Sequence, residues 1–267
     1  MLSAEQQNEL TTRGYTYVRG LASPEEAAEM ERRIWAQLQK RGIDRADRAT
    51  WPRGGLLSQL QGLRHAKVFA PFANARMLAI VDQMLGAGSW SPPKLEGQGL
   101  LTFPEPPPWA VPHRVWHFDM PARGSAERLD ALRVFGFAAT VAPRGGGTLM
   151  VEGSAELVRR MVVRSPRSDA GQSADVRKRL VKQHRWFAAL TSPVGDRVKP
   201  FMEDGDEIDR VRVVEMTGAG GDVCIMHPWT LHNTARNCSD RPRMMMTQTY
   251  ARDDNVFYSG ERDQAME

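Results

Sequence analysis

The period of the apolar positions changes along this chain. In the N-terminal third it is helical. Glu5 to Arg13 predicts a short helix that ends at Gly14, and Tyr15 to Val18 alternates as a strand does. Ser23-Pro24-Glu25-Glu26 predicts a helix start, with Ser23 as N-cap, Pro24 in the first turn and Glu26 closing a capping box. Ala27, Met30, Ile34 and Leu38 then share one face, and Gly42 marks the stop. Met77, Ile80, Val81 and Met84 form a second such face, ended by Gly86.

From about residue 95 the pattern shifts to short apolar runs divided by glycine and proline. Strands are expected at Leu100–Phe103, Arg114–Asp119, Leu132–Val141, Thr148–Val151, Val211–Met216, Val223–Met226, Thr230–Thr234 and Met244–Tyr250. Pro104 to Pro112 reads as a loop and Arg144 to Gly147 as a turn. The glycines of that turn fit neither common phosphate-binding spacing. Gly153-Ser154 opens a helix, and a further helix is expected from Asp175 to Leu190. Residues 160–210 are otherwise polar and irregular, like an insertion that covers a site. Helices first and many short strands afterwards predict a mainly β fold, a sandwich or barrel with helices packed outside. One domain is expected over residues 1–267, with a helical part at 1–90.

Composition narrows the function classes. With 41% hydrophobic residues the chain can build a sizeable core, and no apolar run approaches the ~20 residues of a membrane span. The net charge is +4, but arginines alternate with acids instead of forming the patch that a nucleic-acid binder concentrates. The densest basic stretches, Arg159 to Arg167 and Arg177 to Arg185, read as solvated helix faces; attraction of an acidic substrate is the alternative. Arg123, Arg159, Arg160 and Arg164 permit such a substrate without requiring it. Two cysteines, Cys224 and Cys238, are too few for a disulfide framework. They point to a reducing cytoplasm, one as a buried small hydrophobe and one as a loop thiol. The N-terminus lacks the basic and apolar regions of a signal peptide. The expected partner is a small molecule, with neither nucleic acid nor membrane.

The residues that carry chemistry are His117 and Asp119, in Trp116-His117-Phe118-Asp119, together with a histidine of the distal run, His227 or His232. Two positions apart on a strand, an imidazole and a carboxylate face the same way. A second imidazole from a distant strand completes a three-ligand face on one metal. Two histidines and one carboxylate with open positions opposite are the donor set of non-haem Fe(II) oxygenases. An anionic cosubstrate chelating such a metal needs a cation for its far carboxylate, and the planar fork of an arginine suits it. Arg243, eleven residues beyond His232, is placed for this by a strand-turn-strand hairpin. His227 competes with His232, and Arg241 with Arg243. His113 and His184 read as loop or helix-surface residues. Trp116, Phe135 and Phe137 read as core that could line a pocket, and Met244-Met245-Met246 as a core strand with one residue outward.

These blocks, with Gly145-Gly146-Gly147-Thr148-Leu149-Met150-Val151-Glu152-Gly153-Ser154 and Gly221-Asp222 through to Arg243, resemble the phytanoyl-CoA dioxygenase family of Fe(II)- and 2-oxoglutarate-dependent oxygenases. The resemblance spans most of residues 10–250 and is weakest over 160–210. It implies a double-stranded β-helix (jelly roll) with Fe(II) on His117, Asp119 and His232. It implies 2-oxoglutarate on Arg243 and Thr234, dioxygen as co-reactant, and Thr102 and Gln98 near the cosubstrate or substrate. Of the rival histidines and arginines it favours His232 and Arg243. Where many members have His-Gly-Ser, this chain has His232-Asn233-Thr234. The hydroxyl is kept, and the bulkier Asn233 is expected to reshape the neighbouring pocket. The implied reaction hydroxylates an unactivated C–H of a small metabolite, with release of succinate and CO2. A carboxylate at Asp119 argues against halogenation, which needs that position free. The alternatives are a non-catalytic jelly-roll binding protein and a zinc hydrolase on the same ligands.

Overall fold

A computed structural model describes residues 1–57, 60–93, 97–122, 128–164 and 173–255. The N-terminal part holds α1 (Ala4–Thr12), β1 (Tyr15–Val18), α2 (Pro24–Gln39), β2 (Leu56–Leu57), α3 (Gln61–His65) and α4 (Ala75–Leu85). The capping box at Ser23 forms: its hydroxyl accepts the Glu26 N–H, and the Glu26 carboxylate accepts the Ser23 N–H. Ala27, Met30, Ile34 and Leu38 of α2 are all buried, as the period of 3.6 requires.

The strands β3 (Gln98–Thr102), β4 (Ala131–Phe137), β7 (Val223–Met226) and β9 (Arg243–Ala251) join β1 and β2 in one antiparallel sheet, ordered β1-β7-β4-β9-β3-β2. A smaller sheet, β6-β5-β8, uses β5 (Leu149–Glu152), β6 (Arg212–Glu215) and β8 (His232–Asn233). Tyr15, Phe135, Phe137, Cys224, Met226 and Met245 of the large sheet meet Met150 and Val214 of the small one in a shared core. Two facing antiparallel sheets with helices outside make the double-stranded β-helix expected from the sequence. Among the described residues no helix is long and apolar enough to cross a membrane.

Strand alternation sorts the side chains. Met245 faces the inter-sheet core, while Met244 and Met246 pack outward into the cluster that holds Ile34, Met77 and Ile80. None of the three methionines meets solvent, because α2 and α4 cover the outer face. Gly136 permits that cover, since a Cβ there would lie 2.7 Å from the Phe72 ring. Fully burying an aliphatic side chain stabilises by about 1.5–3 kcal/mol, so Ile34→Ala would loosen the whole layer.

The structure departs from the expected elements in five places, one of them Thr230–Thr234, where only His232–Asn233 forms a strand. Arg114–Asp119 is no strand: only His117 makes a β-bridge, to His232, and Val115 has φ 64°, which breaks the extended run. The strand expected to reach Val141 ends at Phe137, where the amides of both Ala138 and Ala139 turn to the Met244 carbonyl. The helix expected over 175–190 is two, α6 (Ser173–Gln183) and α7 (Arg185–Thr191). They break at His184, whose backbone is extended and whose ring pairs with Asp209 at 2.7 Å. The segment 160–210 is more ordered than expected where described, with irregular chain at 192–198 and 203–210. The end of α5 (Ser154–Arg164), α6, α7 and α8 (Lys199–Met202) bury Val162, Val176, Leu180, Trp186, Phe187, Leu190 and Phe201 against the outer face of the small sheet. Arg123 and Arg167 lie outside the described residues.

Candidate metal centre and cosubstrate pocket

His117 and His232 lie directly opposite each other and exchange two backbone hydrogen bonds, of 3.1 and 2.8 Å. Opposed residues of an antiparallel bridge project to one side, and the two rings sit with centroids 4.3 Å apart. Asp119 completes the group. Its Oδ1 lies 4.0 Å from Nε2 of His117, and its Oδ2 3.7 Å from Nε2 of His232. All three ligand atoms fall within 4.8 Å of one another, so one ion reaches them all.

The tautomers suit a metal. Nδ1 of His117 lies 2.9 Å from the Val115 carbonyl, and Nδ1 of His232 lies 3.0 Å from the Thr230 carbonyl. A carbonyl only accepts, so each Nδ1 carries the proton and each Nε2 presents its lone pair. Burial pushes the His232 imidazole well down from its ordinary value, against the pull of Asp119, and keeps it neutral.

Arg133 is a residue that sequence reasoning missed. It stands on the inner face of β4, with Nε 3.1 Å from Asp119 Oδ2 and Nη1 2.6 Å from the Thr249 hydroxyl. Its only signal was a lone charge inside the apolar run of residues 131–137.

Arg243 opens β9 directly opposite Thr102 of β3 and is 2% exposed. Its Nη1 donates to the Gly146 carbonyl at 2.6 Å, while its Nε, buried, has no partner among the described residues. The buried hydroxyls of Thr102 and of Thr247 likewise lack a partner among the described residues. Thr247 lies on the same side of β9 as Arg243 by alternation. Native proteins leave few buried polar groups unpaired. Three on adjoining strands fit a polar ligand such as a carboxylate. Gly146 walls this pocket with φ 80°; a Cβ there would come within 3.0 Å of the Thr102 hydroxyl oxygen. Burial lowers the Arg243 pKa to about 10, with Glu215 pulling it back up, so the guanidinium stays charged at neutral pH. Glu215, unremarked in the sequence, accepts the amides of Arg144 and Gly147, and burial raises its pKa.

The other candidates fall elsewhere. Thr234 is exposed, with its amide donating to the Asn233 side chain, and Gln98 is exposed opposite Thr247. Asn233 is buried, but its Nδ2 donates to the Arg114 carbonyl, which tethers the loop before His117. His227 follows β7 and accepts the Trp229 amide at Nδ1, outside the three-ligand group. Arg241 is exposed.

A model of the phytanoyl-CoA dioxygenase (PhyH) family matches residues 10–245. The chain belongs to that family. The phytanoyl-CoA dioxygenases are Fe(II)- and 2-oxoglutarate-dependent oxygenases, and this member carries their two-histidine, one-carboxylate triad in place. A comparison with curated proteins finds no match. Among solved structures, HygX from Streptomyces hygroscopicus, with nickel and 2-oxoglutarate bound, is 16% identical with a TM-score of 0.53. The match covers 95% of this chain and 88% of HygX. SnoN, an alpha ketoglutarate dependent epimerase from nogalamycin biosynthesis, is 18% identical with a TM-score of 0.52, covering 93% and 80%. EctD from S. alaskensis, with 2-oxoglutarate and 5-hydroxyectoine, is 15% identical with a TM-score of 0.53, covering 95% and 77%. At these identities the likeness is one of fold.

Proposed function

We propose that this family member hydroxylates an unactivated C–H of a small-molecule metabolite, using Fe(II), 2-oxoglutarate and dioxygen. The observation that carries the reading is the convergence of Nε2 of His117, Nε2 of His232 and the Asp119 carboxylate at one point. The buried Arg243 and Thr102 supply a separate carboxylate-binding end. Bound iron supplies dioxygen activation coupled to decarboxylation of 2-oxoglutarate to succinate and CO2.

The chain's own residues bind, orient and shield. His117 and His232 would hold the metal through Nε2, and Asp119 would hold it through its carboxylate. Arg243 and Thr102 would take the far carboxylate of 2-oxoglutarate. The guanidinium is already desolvated, so a bidentate pair forms without further loss of hydration there. The buried ring of Phe135 meets His232 edge-on at 6.4 Å and would shield that imidazole from water. HygX has also been solved with hygromycin B bound beside 2-oxoglutarate, which supports a small-molecule substrate. A zinc hydrolase on the same ligands leaves the buried Arg243 without a task.

The decisive experiment is anaerobic visible absorption of the Fe(II)-loaded protein titrated with 2-oxoglutarate. The expected result is a weak metal-to-ligand charge-transfer band, absent in His232→Ala and weakened in Arg243→Ala. Folded, iron-loaded protein without a band would overturn the reading. Candidate-dependent succinate release, with the oxidised product identified, then tests hydroxylation itself.

A further inference from the structure

The loop that carries His117 is not part of a regular strand, yet its backbone is held on every side. His117 gives and takes its hydrogen bonds with His232. The residues on either side of it are bonded to helix α6. The Phe118 amide donates to the Ser173 hydroxyl at 2.9 Å, and Arg177 Nη1 donates to the Trp116 carbonyl at 2.6 Å. Ser173 and Arg177 lie four apart and so share one helix face. In a continuous sheet these two groups would pair with the next strand. Here α6 takes that place.

The same stretch of chain ties down the loop further back. Arg197 donates to the carbonyls of Val111 and Pro112 at 3.1 Å each, and also to those of Leu190 and Ser192 at the end of α7. The Val111 amide donates to the Arg197 carbonyl, and Trp116 Nε1 to that of Pro112. Arg177 therefore belongs to no solvated basic face, as its sequence neighbourhood implied. It is half-buried, while the neighbouring Lys178 is exposed.

We propose that Arg177 and Ser173 are positioning residues for the metal ligand His117, and that helix α6 is a structural part of the metal centre as well as a cover on the small sheet. The proposal rests on the ligand assignment above. Without Arg177 the Trp116 carbonyl loses its partner, and without Ser173 the Phe118 amide does. His117 then keeps its bridge to His232 and the Asn233 tether at Arg114, but the backbone on either side of it loses its partners, and the ligand set is held less firmly in one geometry before the metal arrives. Outer partners of this kind commonly contribute ~10–100-fold to metal affinity.

The test is Ni(II) binding by calorimetry in the absence of 2-oxoglutarate, read beside the melting temperature of the metal-free protein. Arg177→Met should bind about tenfold more weakly, and Arg177→Lys, which restores a donor, should recover most of the loss. Ser173→Ala should weaken binding several-fold, and Lys178→Ala should leave it unchanged. Arg177→Met and Ser173→Ala proteins that bind within twofold of the parent would overturn the proposal, whatever their melting temperatures. If Arg177→Met does not fold, Ser173→Ala and Arg177→Lys decide alone. His232→Ala separates the two levels. If it binds Ni(II) like the parent, the ligand assignment itself fails; if only the α6 variants do, this inference fails and the site stands.

Discussion

His117 and His232 are joined through their backbones as well as through any metal they share, by paired hydrogen bonds of 3.1 and 2.8 Å. The register of two ligands distant in sequence is thus set before metal binding. It is set at a cost: Val115, whose carbonyl accepts the His117 ring proton, sits at φ 64°. That region disfavours β-branched residues by roughly 1–2 kcal/mol, and Asn tolerates it far better. Val115 is 70% exposed, so little packing is lost on replacement. Val115→Asn is expected to raise the unfolding free energy of the metal-free protein by about 1 kcal/mol in urea, with Ni(II) affinity unchanged. A net destabilisation would refute the strain argument.

Arg133 and the metal compete for Asp119. The guanidinium lies 3.1 Å from Oδ2, with both side chains mostly buried. Removing a cation from beside a dication's ligand should strengthen metal binding, while the unpaired carboxylate should weaken the metal-free fold by about 1–2 kcal/mol. In Arg133→Ala, Ni(II) affinity is therefore expected to rise several-fold as the melting temperature falls. Weaker binding would mean instead that Arg133 holds Asp119 in its ligating pose.

Thr102 offers a cleaner cut. Its buried hydroxyl has no partner among the described residues. Thr102→Val keeps the shape and removes the hydroxyl. Stability should be unchanged or slightly higher, because an unsatisfied buried group disappears. Affinity for 2-oxoglutarate in the Ni(II)-loaded protein should fall about five- to tenfold, the worth of one hydrogen bond. Undiminished affinity would take Thr102 out of the cosubstrate site.

His227 gives a pH dependence separate from the metal. Burial lowers its pKa from 6.5 to about 4, and its Nδ1 accepts the Trp229 amide, which a protonated ring could not do. The unfolded chain binds this proton below pH 6.5 and the folded chain only near pH 4. The contribution is therefore full above pH 6.5 and is lost progressively as pH falls to about 4, up to about 3 kcal/mol. His227→Asn keeps an acceptor and cannot titrate. Its stability profile between pH 6.5 and 4 should be flatter than the parent's by that amount; parallel profiles would exclude His227 as the source.

The helix start at Ser23, the buried stripe from Ala27 to Leu38, strand Tyr15–Val18 and the chemical identity of His117, Asp119, His232 and Arg243 were all legible in the sequence. Each is a local pattern or a residue type whose chemistry is rare in a plain core. The strand assigned to residues 114–119 was not correct, because a local apolar pattern does not reveal a left-handed residue at Val115.

Amino-acid order alone thus determined the period of each element and the donor atoms on offer. Tertiary structure alone decided which of them meet. Arg133 reached Asp119, Glu215 came under the glycine turn, and Arg177 turned from an apparent surface charge into a partner of the Trp116 carbonyl. The physical reason is that a buried backbone or charged group must find a partner, and the partner's identity depends on chain segments brought together only by folding.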